Sequence, residues 1–228
     1  MSPVEQPVVR LSQVAKSFPL GERKVAAVRE ASFAINEGEM AVLMGPSGSG
    51  KSTILALIAG LVALDSGTIS VRDITVNTLA QDQLDRFRGE QIGIVFQRFN
   101  LVPVLTAIEN VELALIPKKM AARARRERAG EWLARVGLAQ RAGHFAANLS
   151  GGEQQRVAVA RALATQPSII LADEPTASLD RNTAIDLIDL MANLSREYGK
   201  TFLIATHDQK VIERAQRVLL VDDGQCLG

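Results

Sequence analysis

The chain holds a single cysteine, Cys226, among 228 residues. No intrachain disulfide can form, and a reducing compartment fits best. Long apolar runs are missing as well. The longest, Ile54 to Leu64, is 11 residues, about half of the roughly 20 that a membrane-spanning helix needs. The opening, Met1-Ser2-Pro3-Val4-Glu5-Gln6, has no basic cluster followed by an apolar block, so no leader peptide is expected. Excess charge of either sign is absent. Lys plus Arg number 26 against 25 Asp plus Glu, a net charge of +1, and such a chain is not built primarily to coat nucleic acid. No internal repeat, low-complexity tract or long linker stands out. A soluble protein is expected, with any membrane role coming through a partner.

What remains is an ordinary globular composition, 47% hydrophobic and 22% charged, which excludes a disordered or fibrous chain. The length equals about one and a half domains of roughly 150 residues, enough to bury a sizeable core. Met40 to Met44, Ile92 to Phe96, Ser168 to Ala172, Thr201 to Thr206 and Val218 to Val221 read as buried strands. Val8 to Leu11 and Ala31 to Ile35 read as short strands flanking a polar loop that contains Gly21-Glu22-Arg23-Lys24, and Thr68 to Val76 as strand with one turn. Helices are expected at Thr53 to Leu61, Gln81 to Arg88, Ala121 to Val136, Glu153 to Leu163 and Thr183 to Tyr198. Strand-helix alternation around an all-helical stretch predicts an α/β fold with a mostly parallel sheet and an inserted α-helical subdomain.

Gly45-Pro46-Ser47-Gly48-Ser49-Gly50-Lys51-Ser52 fits G-x-x-x-x-G-K-[ST] in full, after an expected strand and before an expected helix. The glycines let backbone amides turn inward around phosphate oxygens, and the helix start at Thr53 adds its dipole. Lys51 is expected to reach the β- and γ-phosphates and Ser52 to ligate Mg²⁺. As a loop lysine, Lys51 is expected to be exposed and to stabilise little. A plain Gly-Ser turn is the bland alternative, and motif with context makes it the weaker one. Ile169 to Ala172 leads into Asp173-Glu174-Pro175, placing two carboxylates at the carboxyl end of a central strand, where open α/β sheets bind ligands. Asp173 is expected at Mg²⁺ and Glu174 at the attacking water. Two adjacent acids favour hydrolysis over kinase-type transfer.

Leu149-Ser150-Gly151-Gly152-Glu153-Gln154-Gln155-Arg156 precedes an Ala-rich helix. Ser150 and Glu153 form a capping box, and Gly151 and Gly152 bare the helix N-terminus to an anion. One chain then carries two anion-binding helix starts. A head-to-tail, two-fold symmetric pair uses both, the Ser150 loop of each copy covering the nucleotide of the other.

These motifs, in this order with Gln97, Ser178-Leu179-Asp180 and His207, resemble the ATP-binding subunit of ABC transporters over essentially the whole chain. The resemblance implies one phosphate-loop ATPase domain over 1–228 with three interleaved parts. They are an N-terminal antiparallel β-subdomain within about 1–90, a helical subdomain at about 98–165, and the rest of the core at about 166–228. It further implies that Gln97 touches Mg²⁺ and the attacking water and hinges the helical subdomain. Ser178 to Asp180 would cross a homodimer, and His207 would contact the γ-phosphate and support Glu174. Phe18 sits where the family has an adenine-stacking Tyr, and Phe keeps the π-face. Bland alternatives stay open: a polar strand cap for Gln97, a hydrogen-bonded surface histidine for His207, and core filler for Phe18.

Ile94 to Pro103 and Leu105 to Val111 are similar to the macrolide-export and lipoprotein-releasing (MacB/LolD-type) subfamily. With the sequence ending at Asp223 to Gly228, the C-terminal regulatory domains of some importers are not expected, which leans the same way. The resemblance implies an ATP- and Mg²⁺-dependent homodimer that powers a separate membrane permease of exporter or extractor type, and that sits through it on the cytoplasmic face of the inner membrane. A polar amino-acid importer ATPase is the alternative, and a soluble non-transport ABC ATPase a weaker one. The basic run Lys118 to Arg126 lacks aromatics and reads as a solvated helix face, so no nucleic-acid partner is expected.

Overall fold

The computed structural model describes residues 7–21 and 23–227. The leader reading at Met1–Gln6, Glu22 of the expected loop, and Gly228 lie outside these residues. In chain order the elements are β1 (Pro7–Leu20), β2 (Arg23–Asn36), β3 (Met40–Met44), α1 (Lys51–Ile58), β4 (Ser66–Val71) and β5 (Ile74–Thr75). They continue with α2 (Gln81–Gln91), β6 (Ile92–Val95), α3 (Ala107–Leu115), α4 (Ala122–Arg135), α5 (Gly151–Ala164) and β7 (Ile169–Asp173). The last are α6 (Arg181–Tyr198), β8 (Phe202–Thr206), α7 (Gln209–Ile212), β9 (Arg217–Asp222) and β10 (Gln225–Leu227).

Two sheets result. The antiparallel one runs β2-β1-β4-β5 and the other β10-β9-β3-β8-β7-β6. In the second, β9, β3, β8, β7 and β6 are parallel and β10 is antiparallel to β9. The fold is the expected α/β class. Period-two alternation divides the parallel strands between two cores. Met40, Val42, Ile170, Ala172, Phe202 and Ile204 pack with helices α3 to α6. Ala41, Leu43, Ile169, Leu171, Leu203 and Ala205 pack with α1 and the antiparallel sheet. Burial on both faces explains why β3, β7 and β8 read as unbroken apolar runs, whereas Val218 and Leu220 of β9 are exposed.

Three differences from the sequence reading have physical causes. The expected short strands Val8–Leu11 and Ala31–Ile35 belong to one long β1-β2 hairpin that closes between Leu20 and Arg23. Register shifts and left-handed residues at Gln13 and Glu30 interrupt its alternation, which hid its length. Helix α3 was not expected, although Thr106 and Glu109 form its capping box. Helix α1 starts at Lys51, two residues before the expected Thr53, because Gly50 with φ 108° turns the chain into it. Among the described residues no helix is long and apolar enough to cross a membrane.

Candidate functional site

Strand β3 delivers Gly45–Gly50 to the carboxyl end of the parallel sheet. A Cβ on Gly45 would lie 2.0 Å from the Val221 carbonyl of β9, and one on Gly50 would lie 2.3 Å from the Ala27 carbonyl of β2. Glycine at these two positions is therefore a steric necessity. The Gly224 N–H donates to Ser49 O at 3.0 Å and fixes the loop from below. Pro46, Ser47 and Gly48 are exposed, Ser49 is buried and Thr53 half-buried.

Lys51 corrects an expectation. It is 5% exposed, and its ammonium donates to the carbonyls of Gly45 and Pro46 at 2.8 Å each. The loop wraps its own lysine, so the stem is packed and two of three ammonium protons organise the loop.

Asp173 ends β7, between β6 and β8. The Ser52 hydroxyl, at the start of α1, donates to Asp173 Oδ1 at 2.9 Å. Burial raises the Asp173 carboxyl above its ordinary value and the Glu174 charge adds to this, while the Ser52 bond and Lys51 oppose it. The Ser52–Asp173 pair offers only oxygen donors, which suits a hard Mg²⁺ whose shell is completed by phosphate and water.

Glu174 has φ 45°, a left-handed conformation that is strained for this residue. Its Oε2 accepts from the Thr206 hydroxyl at 3.0 Å and its Oε1 lies 2.8 Å from His207 Nδ1. His207 is thus both a hydrogen-bonded surface histidine, 69% exposed at its side chain, and a partner of Glu174, which is 18% exposed. Thr206, fully buried at the end of β8, was missed in the sequence. A hydroxyl closing an apolar strand just before His207 was the available signal.

Gln97 is exposed, two residues beyond the end of β6, and its carbonyl accepts from Ser178 Oγ at 3.3 Å. Among the described residues no hydrogen bond joins its side chain to Asp173 or Glu174. Phe18 is 39% exposed, which removes the core-filler reading, and Lys16 Nζ lies 5.4 Å from its ring centre.

Ser150 caps α5. Its hydroxyl accepts from the Glu153 N–H at 3.3 Å, and its own N–H donates to Glu153 Oε2 at 2.9 Å. That backbone bond is the main cause holding the Glu153 carboxyl below its ordinary value. A Cβ on Gly152 would lie 2.2 Å from Thr183 Cγ2 on α6, so this glycine admits close packing as well as baring the helix start. Asp180 caps α6, accepting from the N–H groups of Asn182 and Thr183 at 3.0 and 3.2 Å. The Thr183 hydroxyl leads in holding its carboxyl below the ordinary value. Helix α1 packs on β2, β4, β7 and β8, whereas α5 packs on α3, α4, α6 and β6. The two glycine-rich helix starts therefore belong to different packing units.

The sequence model of the ABC transporter family matches residues 28–177. The chain is 45% identical over 222 residues to the uncharacterized ABC transporter ATP-binding protein MJ0796 of Methanocaldococcus jannaschii, covering 96% of this chain and 94% of that one. It is 43% identical to lipoprotein-releasing system ATP-binding protein LolD 1 of Caulobacter vibrioides, covering 96% and 94%. It is also 43% identical to the macrolide export ATP-binding/permease protein MacB of Rhodopseudomonas palustris, covering 95% of this chain but 33% of that one. The chain thus spans about a third of the MacB relative. A dimeric structure of MJ0796 in a post-hydrolysis state bound to ADP and Pi matches with a TM-score of 0.88 at 44% identity, covering 96% and 97%. With more than half its length matched, the chain belongs to the ABC transporter family, as an ATP-hydrolysing cassette of MacB/LolD type.

Proposed function

We propose that this chain is the ATPase subunit of an exporter- or extractor-type ABC transporter. Two copies close head to tail around two MgATP molecules and drive a separate permease from the cytoplasmic face of the inner membrane. The observation that carries the hydrolytic part is the division of two adjacent acids: Asp173 bonds to Ser52, and Glu174 bonds to Thr206 and His207. One carboxylate serves the metal and the other is free to serve water.

In this reading Gly45 to Thr53 and Lys51 bind the phosphates, Phe18 stacks on adenine, and Ser52, Asp173 and Gln97 hold Mg²⁺. The metal, when bound, neutralises charge on the β- and γ-phosphates. Glu174 accepts a proton from water as the water oxygen bonds to the γ-phosphorus and the bond to the β,γ-bridging oxygen breaks, giving ADP and Pi. His207 holds Glu174 and lies near the γ-phosphate. Ser150, Gly151, Gly152 and Glu153 of one copy cover the nucleotide of the other, with Ser178 to Asp180 crossing the seam. Residues 1–228 form one domain in the three interleaved parts described above.

The permease pairing is supported by the names of the MacB and LolD relatives. Affinity capture of the tagged chain from detergent-solubilised membranes of its own cells tests it. Co-purification in detergent, with ATPase activity altered on reconstitution, is expected. A chain recovered free of every membrane protein after mild solubilisation would remove the transporter assignment.

A further inference from the structure

We propose that Gln155 is a positioning residue of the hydrolytic site, one buried amide that holds the backbones beside Gln97 and Glu174 in register. Gln155 lies in the second turn of α5 and is fully buried. Its Nε2 donates to Phe96 O at 3.1 Å and to Pro175 O at 2.9 Å. Phe96 directly precedes Gln97, and Pro175 directly follows Glu174. Both amide protons are committed to the two arms of the site, and their geometry within one NH₂ group fixes the separation of the two carbonyls.

The Oε1 of Gln155 is buried and, among the described residues, has no hydrogen-bond partner. An unpartnered buried amide oxygen is costly, and the same helix face carries Ala158, Val159 and Ala162, all buried and apolar. An apolar side chain would fill this space without that cost. The directed contact of Gln155 is therefore its pair of bonds to Phe96 and Pro175.

Arg161 on the same helix donates to the carbonyls of Phe99 and Asn100. Helix α5 thus grips the Gln97 segment at two points, and any displacement of α5 reaches Gln97 and Pro175 together. The Ser150 helix start is thereby linked to the hydrolytic groups of its own copy.

This inference rests on the roles of Glu174 and Gln97 given above. Steady-state ATPase kinetics of the full chain, normalised to ATP-binding stoichiometry, test it. Gln155→Leu is expected to lower kcat by about tenfold or more with KM for ATP nearly unchanged. In a Gln97→Ala background the same change should cost less than it does in the wild type, because one of the two arms that Gln155 holds is already disabled. Gln155→Met serves if the leucine variant does not fold. Normal kcat per ATP-binding molecule, or a full additive loss in the double variant, would overturn the inference. Near-normal turnover in Glu174→Gln would instead overturn the underlying reading, and it is scored without touching Gln155.

Discussion

Oε1 of Glu174 and Nδ1 of His207 stand 2.8 Å apart, just beyond the ends of the neighbouring parallel strands β7 and β8. Thr206 holds the other carboxylate oxygen, so Glu174 is fixed on both sides by residues of one strand end. Removing one anchor should misplace the carboxylate without removing it. His207→Ala is expected to lower kcat by about 10–10²-fold, less than loss of the base itself, with ATP binding nearly intact. Steady-state ATPase rates beside equilibrium binding check it. A wild-type kcat would leave His207 as a surface histidine.

Lys51→Ala should abolish tight ATP binding, since it removes the main side-chain cation from the phosphates. The burial of Lys51 adds a second expectation that an exposed lysine would not carry. Gly45 and Pro46 lose their shared donor, so stability should fall by about 1–3 kcal/mol. Binding isotherms and denaturant melts read the two effects separately. Unchanged affinity would sink the phosphate assignment.

Ser150→Asp separates capping from a role across the dimer. Asp is as good an N-cap as Ser, so melting should stay near wild type. A second negative charge at the nucleotide of the other copy should block closure. In a Glu174→Gln background, gel filtration with MgATP should show monomers. A dimer formed as readily as with Ser150 would count against the trans role.

The site was legible where its chemistry is contiguous in sequence. The Gly45–Ser52 loop, Asp173-Glu174 and the Ser150 capping box are each a few residues long, and their spacing alone states the chemistry. The central strands were legible because burial on both faces leaves only apolar side chains. Contacts between distant residues were not. Thr206 and Glu174 are 32 positions apart, and only the pairing of β7 with β8 joins them. Gln155 read as one more polar residue of a helix, because its burial depends on where α5 packs. The β1-β2 hairpin was cut short on paper because bulges break its alternation.

Acid should loosen the helical region through its caps. The Thr106 hydroxyl and then the Thr106 N–H hold the Glu109 carboxyl below the ordinary 4.5. The folded chain therefore binds fewer protons here than the unfolded one as pH drops. The stability from Glu109 is complete above about 4.5 and is lost as pH falls through the lowered folded value. Melting temperature measured from neutral pH downward should fall less steeply below 4.5 in Glu109→Gln, which keeps the amide oxygen as acceptor but does not titrate. Identical slopes would exclude this cap from the acid response.

Glu174→Gln is the most discriminating substitution. It preserves size and one acceptor oxygen for the Thr206 hydroxyl, and it removes the base. General-base loss costs about 10²–10⁴ in rate. Lys51, Ser52 and Asp173 are untouched, so MgATP should still bind, and affinity should rise because a negative charge near the γ-phosphate is gone. If ATP joins two copies, slow hydrolysis traps them. Light scattering should then show a monomer-to-dimer shift on adding MgATP, while the wild type dimerises briefly or little. Asp173→Asn should part from this pattern by losing Mg²⁺-dependent binding, since the half-buried carboxylate that Ser52 bonds to is the anionic oxygen donor proposed for the metal. The two adjacent acids are thereby told apart by which quantity moves, rate or affinity. Near-normal turnover in Glu174→Gln would take the base role from Glu174 and hand it to Gln97 or His207.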